Sequence, residues 1–333
     1  MILPLKGTKV IDLGRLLPGP YCTKILRDLG CEVTKISLPR FRDPLVDTWP
    51  AFNHLYKGKK MLTLDFQKPH GKEKLLELVC KSDVLVEGFR PGALAKLGLG
   101  YKDLKKINPG LIYCSISGYG QTGPWRRWGG HDLNYVGFSG ILSLGSIEQG
   151  ATALPGTQIS DYPAALYAAI GILGALVRRG QSGEGAYIDI SMLDSAFSFN
   201  LVALADLLNT NKEKFHGSEL LFGKEPFYNL YKTKDNRYLV VASVEHHYRE
   251  RLLGLLGKPE LKHLSGPELK NALQNVFKKK TLKEWRVLLE PKEVCVSGLL
   301  DLKEAAHSEQ IGARKMLRKV KGKWEIGSPI KYS

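Results

Sequence analysis

Residues 9–36 read KVIDLGRLLPGPYCTKILRDLGCEVTKI, and their pattern predicts the fold class. The apolar run Lys9–Leu13 predicts a buried strand, and a Pro-Gly-Pro turn then leads into a helical stretch, Tyr21–Leu29. Gly30 is of the residue type that commonly ends a helix, and Val33–Ile36 predicts a second strand. Because a helix separates the two strands, the stretch predicts a parallel βαβ unit.

The alternation of strand and helix continues to about residue 120. A helical pattern covers Gly71–Cys80, and apolar runs predict strands at Val84–Val86 and Leu111–Ile116. A further helical piece follows Pro91. The sequence therefore predicts an α/β protein whose first part builds a Rossmann-like parallel sheet.

The next part of the chain completes a large domain. Apolar residues at helical spacing predict a helix over residues 163–179, and the alanines and glycines between them predict that it is buried on nearly all sides. A strand over residues 186–190 and one long helix over residues 192–208 follow. We predict that residues 1–208 form this domain.

A smaller α+β domain is predicted over residues 225–312, after a polar linker at residues 209–224. Two apolar runs, residues 226–232 and 237–242, flank a turn-forming Lys-Asp-Asn and predict a hairpin. Three helical patterns follow, over residues 248–256, 269–277 and 282–289. A basic tail over residues 313–333 can return to the large domain.

The composition is that of an ordinary globular protein, with 43% hydrophobic and 25% charged residues among 333. The sequence contains no apolar run of the roughly 18–20 residues that a membrane span requires, and no signal-peptide pattern. Its last three residues, Lys-Tyr-Ser, are not a peroxisomal address, so a cytoplasmic location is expected. Five cysteines without a Cys-x-x-Cys pair and eight dispersed histidines predict neither a disulfide framework nor a metal site.

The formal net charge of +16 is unusual and raises the alternative of a non-catalytic nucleic-acid-binding protein. The lysines are spread along the chain, however, and no helix-turn-helix, zinc-finger or RNA-binding signature accompanies them. A basic surface that attracts a polyanionic ligand is therefore favoured over nucleic-acid binding.

A glycine-rich segment, Gly118–Gly123, has the Gly-x-Gly-x-x-Gly spacing of a dinucleotide loop. A proline and two tryptophans follow it closely, and no acidic residue ends a second strand about twenty positions later. We therefore interpret the segment as a tight turn rather than a nicotinamide site.

Three side chains are candidates for catalysis. His131 follows Gly130 at a predicted helix start, where the charged imidazole is disfavoured, although a buried structural histidine also fits this position. Asp161 opens the next long helix, where it can cap the helix, and the helix start also offers backbone donors for an oxyanion. Glu245 follows the hairpin, where it equally suits the first turn of a solvated helix.

Segments of the chain, in order along residues 5–306, together resemble the family III coenzyme A transferase and α-methylacyl-CoA racemase superfamily. The resemblance is in particular to its racemase branch. The matching segments are Gly7–Leu13, Pro18–Pro20, Glu87–Gly92, Leu97–Gly100, Ser117–Pro124, Gly130–Tyr135, Pro226–Tyr228 and Val244–Glu245.

The resemblance implies roles for individual residues. His131 and Asp161 are then the two catalytic bases, and Glu245 orients and polarises the histidine. Coenzyme A and substrate are bound by a further set, which consists of Arg90, Tyr135, Arg40, Gly130 and Leu64. The resemblance also implies an interlocked homodimer, and no cofactor beyond the coenzyme A of the substrate.

The implied reaction interconverts (R)- and (S)-2-methylacyl-CoA by proton transfer through an enolate. A thioester α-proton is weakly acidic, so one group must remove it while a second delivers a proton to the opposite face. We expect backbone N–H groups at the start of the Asp161 helix to stabilise the enolate oxygen. The alternative within the superfamily is a CoA-transferase, in which Asp161 is a nucleophile that forms an acyl anhydride. Tyr162–Ala165 and Leu38 depart from the usual racemase pattern, which concerns the acyl preference more than the reaction.

Overall fold

The computed structural model describes residues 3–39, 48–145, 153–212, 220–320 and 322–332. Within these residues the chain forms two compact units. The first unit consists of the described residues up to 141, of residues 155–202 and of those from 318 onward. The second consists of the described residues of 142–154 and of 203–317. The domain limits drawn from the sequence stay a prediction.

A six-stranded sheet organises the first unit. Its strands are β1 Lys9–Leu13, β2 Glu32–Ser37, β3 Lys60–Thr63, β4 Val84–Glu87, β5 Ile112–Ser117 and β6 Ala186–Ser191. They are parallel and lie in the order β3-β2-β1-β4-β5-β6. The predicted α/β class and Rossmann-like sheet are confirmed. In such sheets the strand order reverses between β1 and β4, and ligands bind beyond the carboxyl ends of the strands there.

Helices cover both faces of this sheet or follow its strands. They are α1 Pro18–Asp28, α2 Pro69–Cys80, α3 Ala93–Lys96, α4 Tyr101–Ile107, α5 Asp132–Phe138, α7 Asp161–Ser182 and α8 Met192–Ser198. Two more helices, α6 Ile141–Leu144 and α9 Leu201–Thr210, begin in the first unit and continue into the second. One apolar core cluster lies between the sheet and helices α1 and α7, and another contains residues of β1, β4, α2 and α4. Buried strands with helices on both sides are the expected arrangement of a parallel sheet.

Helix α7 differs from the prediction that it is buried on nearly all sides. Its alanines, including Ala164, Ala165 and Ala168, are buried in the core against the sheet and α1, together with Ile172. Its larger apolar residues face away, and Ile170 is 61% exposed and Val177 68% exposed. Small side chains allow the closest approach to the sheet, so the large ones are left on the outer face.

The single helix predicted over residues 192–208 is also wrong. Helix α8 ends at Ser198 and α9 begins at Leu201, with a break between them. The buried side chain of Asn200 donates from Nδ2 to the carbonyl oxygen of Ser139 at 2.6 Å. This hydrogen bond to a distant backbone group stabilises the turn between the helices, although the apolar pattern of the sequence continues through it.

The second unit contains a three-stranded antiparallel sheet and an apolar helical layer. Strands β7 Tyr228–Lys232 and β8 Tyr238–Ala242 form the predicted hairpin, and β9 Val296–Gly298 pairs with β8. The helices are α10 His246–Leu255, α11 Gly266–Phe277, α12 Leu282–Leu289, α13 Leu302–Ala306 and α14 Glu309–Ala313. Tyr231, Phe277 and Trp285 form the aromatic centre of its core.

A short hairpin follows near the C-terminus, β10 Leu317–Val320 and β11 Lys323–Ile326. The ammonium of Lys57 donates to the carbonyl oxygen of Trp324 at 2.7 Å, which ties β11 to the rest of the first unit. Among the helices in the described parts of the chain, none combines the length and the apolar character needed to cross a bilayer.

Candidate active site

A cleft of about 370 Å³ lies in the first unit, beyond the carboxyl ends of the central strands. The loops that follow β1, β4 and β5 contribute to its wall, as do the start of α5 and the first residues of α7 and α8. We call it the Asp161 cleft. It holds His131, Asp161, Tyr135, Gly130 and Arg90, all of which were predicted site residues.

His131 is the residue that caps the start of α5. Its backbone is extended, with φ −127° and ψ 174°, and its N–H donates to Asn134 Oδ1 at 3.0 Å. This local bond fixes the backbone of His131, and its side chain is exposed in the cleft wall. The interpretation of His131 as a buried structural histidine is therefore wrong.

Tyr135 lines the same cleft as His131, and two glycines leave room for its ring. The phenol donates to the carbonyl oxygen of Gly130 at 2.5 Å, and its residue is only 4% exposed. A Cβ atom on Gly130 would lie 2.8 Å from Tyr135 Cε1, and one on Gly118 would lie 2.6 Å from its hydroxyl oxygen. Burial, with nearby Tyr119 and Asp161, raises the pKa of Tyr135, so its hydroxyl stays protonated.

Asp161 is the first residue of α7 and is partly buried. Burial, together with the negative charge of Asp132, raises the pKa of its carboxyl group to about 7. A carboxyl group with this pKa is present in both protonation states near neutral pH, so it can accept or donate a proton there.

Asp132 is a site residue that the sequence interpretation did not single out. Its Oδ1 accepts hydrogen bonds from the Ser160 N–H at 2.7 Å, the Ser160 hydroxyl at 2.7 Å and the Asp161 N–H at 3.1 Å. A carboxylate that caps a helix from 28 residues away leaves no local sequence pattern. The only signal was its place directly after His131.

This cap corrects the expected oxyanion site at the start of α7. The Asp161 N–H is bonded to Asp132, and the Tyr162 N–H donates to the Gln158 carbonyl oxygen at 3.4 Å. Pro163 has no N–H group, and the Ala164 N–H donates to the Ser160 carbonyl oxygen at 3.0 Å. The donors that we expected to stabilise an enolate oxygen are therefore already used.

A basic groove of about 1040 Å³ adjoins the cleft in the same unit. The two share Phe89, Arg90, Pro91 and Arg126 in their walls. Other cationic residues of the groove are Lys96, Lys102 and Arg127. A groove with these cations favours a polyanionic ligand whose other end reaches the cleft.

The remaining predicted site residues lie elsewhere. Leu64 follows β3, is half-buried against an apolar core cluster and does not line the cleft or the groove. Arg40 lies outside the described residues. Glu245 belongs to the second unit, where it is exposed at the start of α10, and its role as the partner of His131 remains a prediction. In the described ranges, no three His, Cys, Asp or Glu side chains are placed to hold a metal ion.

A buried ionic cluster lies at the base of the β1–α1 loop, which lines the cleft with Arg15 and Leu16. Asp12 is fully buried and pairs with Lys59 at 2.9 Å and with Lys35 at 3.6 Å. It also accepts hydrogen bonds from the Thr23 hydroxyl at 2.7 Å and the Gly14 N–H at 2.8 Å. The sequence interpretation treated Asp12 only as a residue of a predicted strand. Its charged partners are distant in sequence: Lys35 lies in β2 and Lys59 directly before β3.

Comparisons with known proteins show the family of the chain. The chain is 34% identical over 319 residues to human α-methylacyl-CoA racemase, which covers 92% of this chain and 80% of that protein. It is also 34% identical over 352 residues to the acetyl-CoA:oxalate CoA-transferase of Acetobacter aceti, with 99% and 89% covered. A CAIB/BAIF family protein from Brucella suis has a similar structure, with a TM-score of 0.89, 28% identity, and 100% and 93% of the two chains covered. The profile of CoA-transferase family III matches residues 5–333, and the chain therefore belongs to CoA-transferase family III.

Proposed function

We propose that this protein is an acyl-CoA racemase that interconverts the two configurations of a 2-methylacyl-CoA by proton transfer at the α-carbon. The observation that carries the proposal is the presence of His131 and Asp161 in one cleft. Inversion of a carbon centre needs two groups that exchange protons, and an imidazole and a carboxyl group are suited to the task.

The environment of Asp161 supports proton transfer. Its raised pKa, about 7, makes the carboxyl group a stronger base when ionised than an ordinary aspartate, and keeps part of it protonated at neutral pH. The forward and reverse reactions require Asp161 in opposite protonation states. A pKa near the working pH serves both directions.

The basic groove supports a coenzyme A thioester as the substrate. Arg90 lines both the cleft and the groove, so a phosphate held in the groove can be joined to a thioester that reaches Asp161. In the proposal, Arg90, Lys96 and Arg127 contact the phosphates, and the coenzyme A of the substrate is the only non-protein group needed. Trp128, which is half exposed in the cleft wall, offers an apolar surface for the acyl chain.

We further propose that the protein acts as a homodimer, because the first unit exposes a large apolar surface. Its members lie on helices α7 to α9 and the turn between α8 and α9: Leu166, Ile170, Val177, Phe197, Phe199, Leu201 and Val202. Tyr167 joins the helices, since its hydroxyl lies 2.9 Å from Ser198 Oγ. Exposed patches of this kind commonly mark protein interfaces.

The dimer is tested by sedimentation. We expect the wild type to sediment as a dimer and the Ile170→Glu variant to shift to monomer, because a charge in an apolar interface is costly. Val287→Glu places the same charge on an exposed helix of the second unit and serves as the control. A wild type that sediments as a monomer at all concentrations contradicts the proposal.

The reaction is tested with a 2-methylacyl-CoA of one configuration in heavy water. We expect deuterium at the α-carbon together with loss of configuration, since the returning proton comes from solvent-exchanged groups on both faces. Chiral chromatography and mass spectrometry measure the two effects separately. A protein that neither exchanges the α-proton nor inverts the centre is not this racemase.

A CoA-transferase is the second candidate, because the chain is as similar to a CoA-transferase as to a racemase. In that reaction a carboxylate oxygen of Asp161 attacks the thioester carbonyl carbon. The coenzyme A thiolate departs, and the acyl group stays on Asp161 as an anhydride. Adding a free carboxylic acid to the same assay distinguishes the two. Transfer of coenzyme A to the acid without α-proton exchange supports the transferase. Binding to nucleic acid that weakens steeply with salt, without either reaction, supports the non-catalytic alternative.

A further inference from the structure

The carboxylate of Asp132 joins the two chain segments that carry His131 and Asp161. It follows His131 directly, and its Oδ1 accepts three hydrogen bonds from Ser160 and Asp161. The backbone on the His131 side is fixed as well, through the bond from the His131 N–H to Asn134. One oxygen atom therefore bonds the start of α7 to the residue that directly follows His131.

We propose that Asp132 is a positioning residue, which holds the Asp161 turn in register with His131 and whose negative charge acts on the Asp161 carboxyl group. The inference rests on the proposed function for the part that concerns proton transfer. The hydrogen bonds and the charge effect on Asp161 do not depend on which reaction the cleft performs.

The hydrogen bonds support the positioning role. Ser160 is fully buried, and both its N–H and its hydroxyl donate to Asp132 Oδ1. Hydrogen bonds to an ionised acceptor are about twice as strong as neutral ones, and a buried donor without an acceptor is costly. The hydrogen bonds to Asp132 thus stabilise the position of the turn that carries Asp161.

The charge effect requires an account of the other ionisable groups near Asp161. The cleft around it contains Arg15, Arg90, Arg126, His131 and Tyr135. Tyr162 follows on α7 and packs against Tyr21 of α1, with ring centres 4.9 Å apart, and α8 carries Asp194. Burial raises the pKa of Asp161, and the negative charge of Asp132 raises it further.

Two variants separate the charge of Asp132 from its hydrogen bonds. Asp132→Asn keeps an oxygen acceptor for Ser160 and Asp161 but removes the negative charge. Asp132→Ala removes both. Glu184→Gln removes one carboxylate from an exposed turn and is the control for a general change of charge.

The first measurement does not require catalytic activity. The ¹³Cγ signal of Asp161 is identified by its absence in Asp161→Asn. It is followed as a function of pH in the wild type, in Asp132→Asn, in Asp132→Ala and in the control Glu184→Gln. We expect its midpoint to fall by about one pH unit in Asp132→Asn, because a neighbouring negative charge disfavours ionisation. The midpoint should not move in Glu184→Gln. An unchanged midpoint in Asp132→Asn overturns the proposal, whatever reaction the protein performs.

The second measurement uses the heavy-water assay. In Asp132→Asn we expect the pH limb of racemisation that belongs to Asp161 to move to lower pH, in step with the carbon signal. In Asp132→Ala we expect kcat to fall about 100-fold with a smaller change in KM, because the reacting groups are misplaced while the groove is intact. Wild-type levels of kcat in Asp132→Ala contradict the positioning role. A wild type without racemisation rejects the proposed function and leaves the carbon titration to decide the charge effect.

Discussion

Racemisation by the His131→Ala and Asp161→Asn variants is expected to fall by about 10²–10⁴-fold each, the usual contribution of a positioned acid or base. In a two-base reaction, inversion stops when either group is lost, because the proton is removed by one group and returned by the other. His131 is exposed in the cleft wall and does not lie in the core, so alanine at this position should leave the fold intact.

The two variants should differ in the exchange that remains. Each keeps one base, and that base can still remove and return the proton of the enantiomer that faces it, with retention of configuration. We therefore expect His131→Ala and Asp161→Asn to incorporate deuterium into opposite enantiomers. Mass spectrometry of each pure enantiomer after incubation in heavy water measures this directly.

The exchange that remains in His131→Ala should also report the ionisation of Asp161. Only the ionised carboxylate can remove the α-proton, so the rate should rise with pH through about 7 and then level off. An ordinary aspartate would reach this plateau near pH 5.

The control for both variants is His70→Ala, which removes an exposed imidazole at the start of α2 and should leave racemisation unchanged. Full racemisation in His131→Ala or Asp161→Asn would remove that residue from the mechanism. Exchange of the same enantiomer by both variants would contradict bases on opposite faces of the reacting carbon.

The sheet could be predicted from the sequence because its central strands are nearly continuous apolar runs between helices. Val84–Glu87 and Ile112–Ser117 are buried throughout, which is the pattern that such runs indicate. Strand β3 was not predicted, because Lys60–Thr63 is short, partly polar and mostly exposed at the sheet edge. Edge strands have one neighbour and so need fewer apolar residues.

The exposure of helix α7 shows what local periodicity cannot decide. The pattern at Leu166, Ile170 and Val177 correctly predicted a helix but not which of its apolar faces meets the sheet. The alanine face packs there instead, and the larger residues remain exposed. Exposed apolar patches commonly mark interaction surfaces, and sequence alone does not distinguish such a stripe from one that packs in a core.

The site was predicted where single residues carry the chemistry, and missed where a residue acts through distant contacts. The roles of His131 and Asp161 were predicted from the family resemblance, because local patterns alone left a structural role open for each. The structure brings both residues into one cleft. Asp132 accepts its hydrogen bonds from a turn that begins 28 residues away, so these contacts depend on the tertiary fold. The buried cluster around Asp12 was missed for the same reason. Its partners lie far along the chain, Lys35 in β2 and Lys59 directly before β3.

That cluster leads to the largest expected effect on stability. Asp12→Asn should lower the free energy of unfolding by about 3–5 kcal/mol, the usual result of removing one partner from a buried ion pair. The Lys59 side chain has no exposed surface and that of Lys35 is 5% exposed, so neither ammonium can turn to water without rearrangement. Because typical proteins are stable by only about 5–15 kcal/mol, this loss should be obvious in urea denaturation.

A second variant distinguishes loss of charge balance from loss of packing. Lys59→Met combined with Asp12→Asn removes one cation together with the anion, and we expect it to recover part of the lost stability. Glu77→Gln breaks an exposed pair with Lys74 of similar length, 2.8 Å, and should leave the unfolding midpoint unchanged. A double variant that is no more stable than Asp12→Asn alone would show that packing, and not charge, is the cause.

The pH dependence of unfolding gives an independent check on Asp12. Burial by itself would raise the pKa of this carboxyl group, but Lys35, Lys59 and the Thr23 hydroxyl together lower it to about 2. A carboxyl group with a lower pKa in the folded state contributes stability that is present above its unfolded pKa, about 3.9, and is lost as the pH falls towards about 2. We therefore expect the stability difference between wild type and Asp12→Asn to shrink over that acidic range and to stay constant above about pH 5.

Asp12 also accepts a hydrogen bond from the Gly14 N–H, and the Lys35 ammonium donates to the Gly14 carbonyl oxygen. Both bonds lie at the base of the loop that places Arg15 and Leu16 in the Asp161 cleft. The charges of this cluster thus support the same wall against which the thioester is proposed to bind, so a folded Asp12→Asn variant should also bind acyl-CoA more weakly.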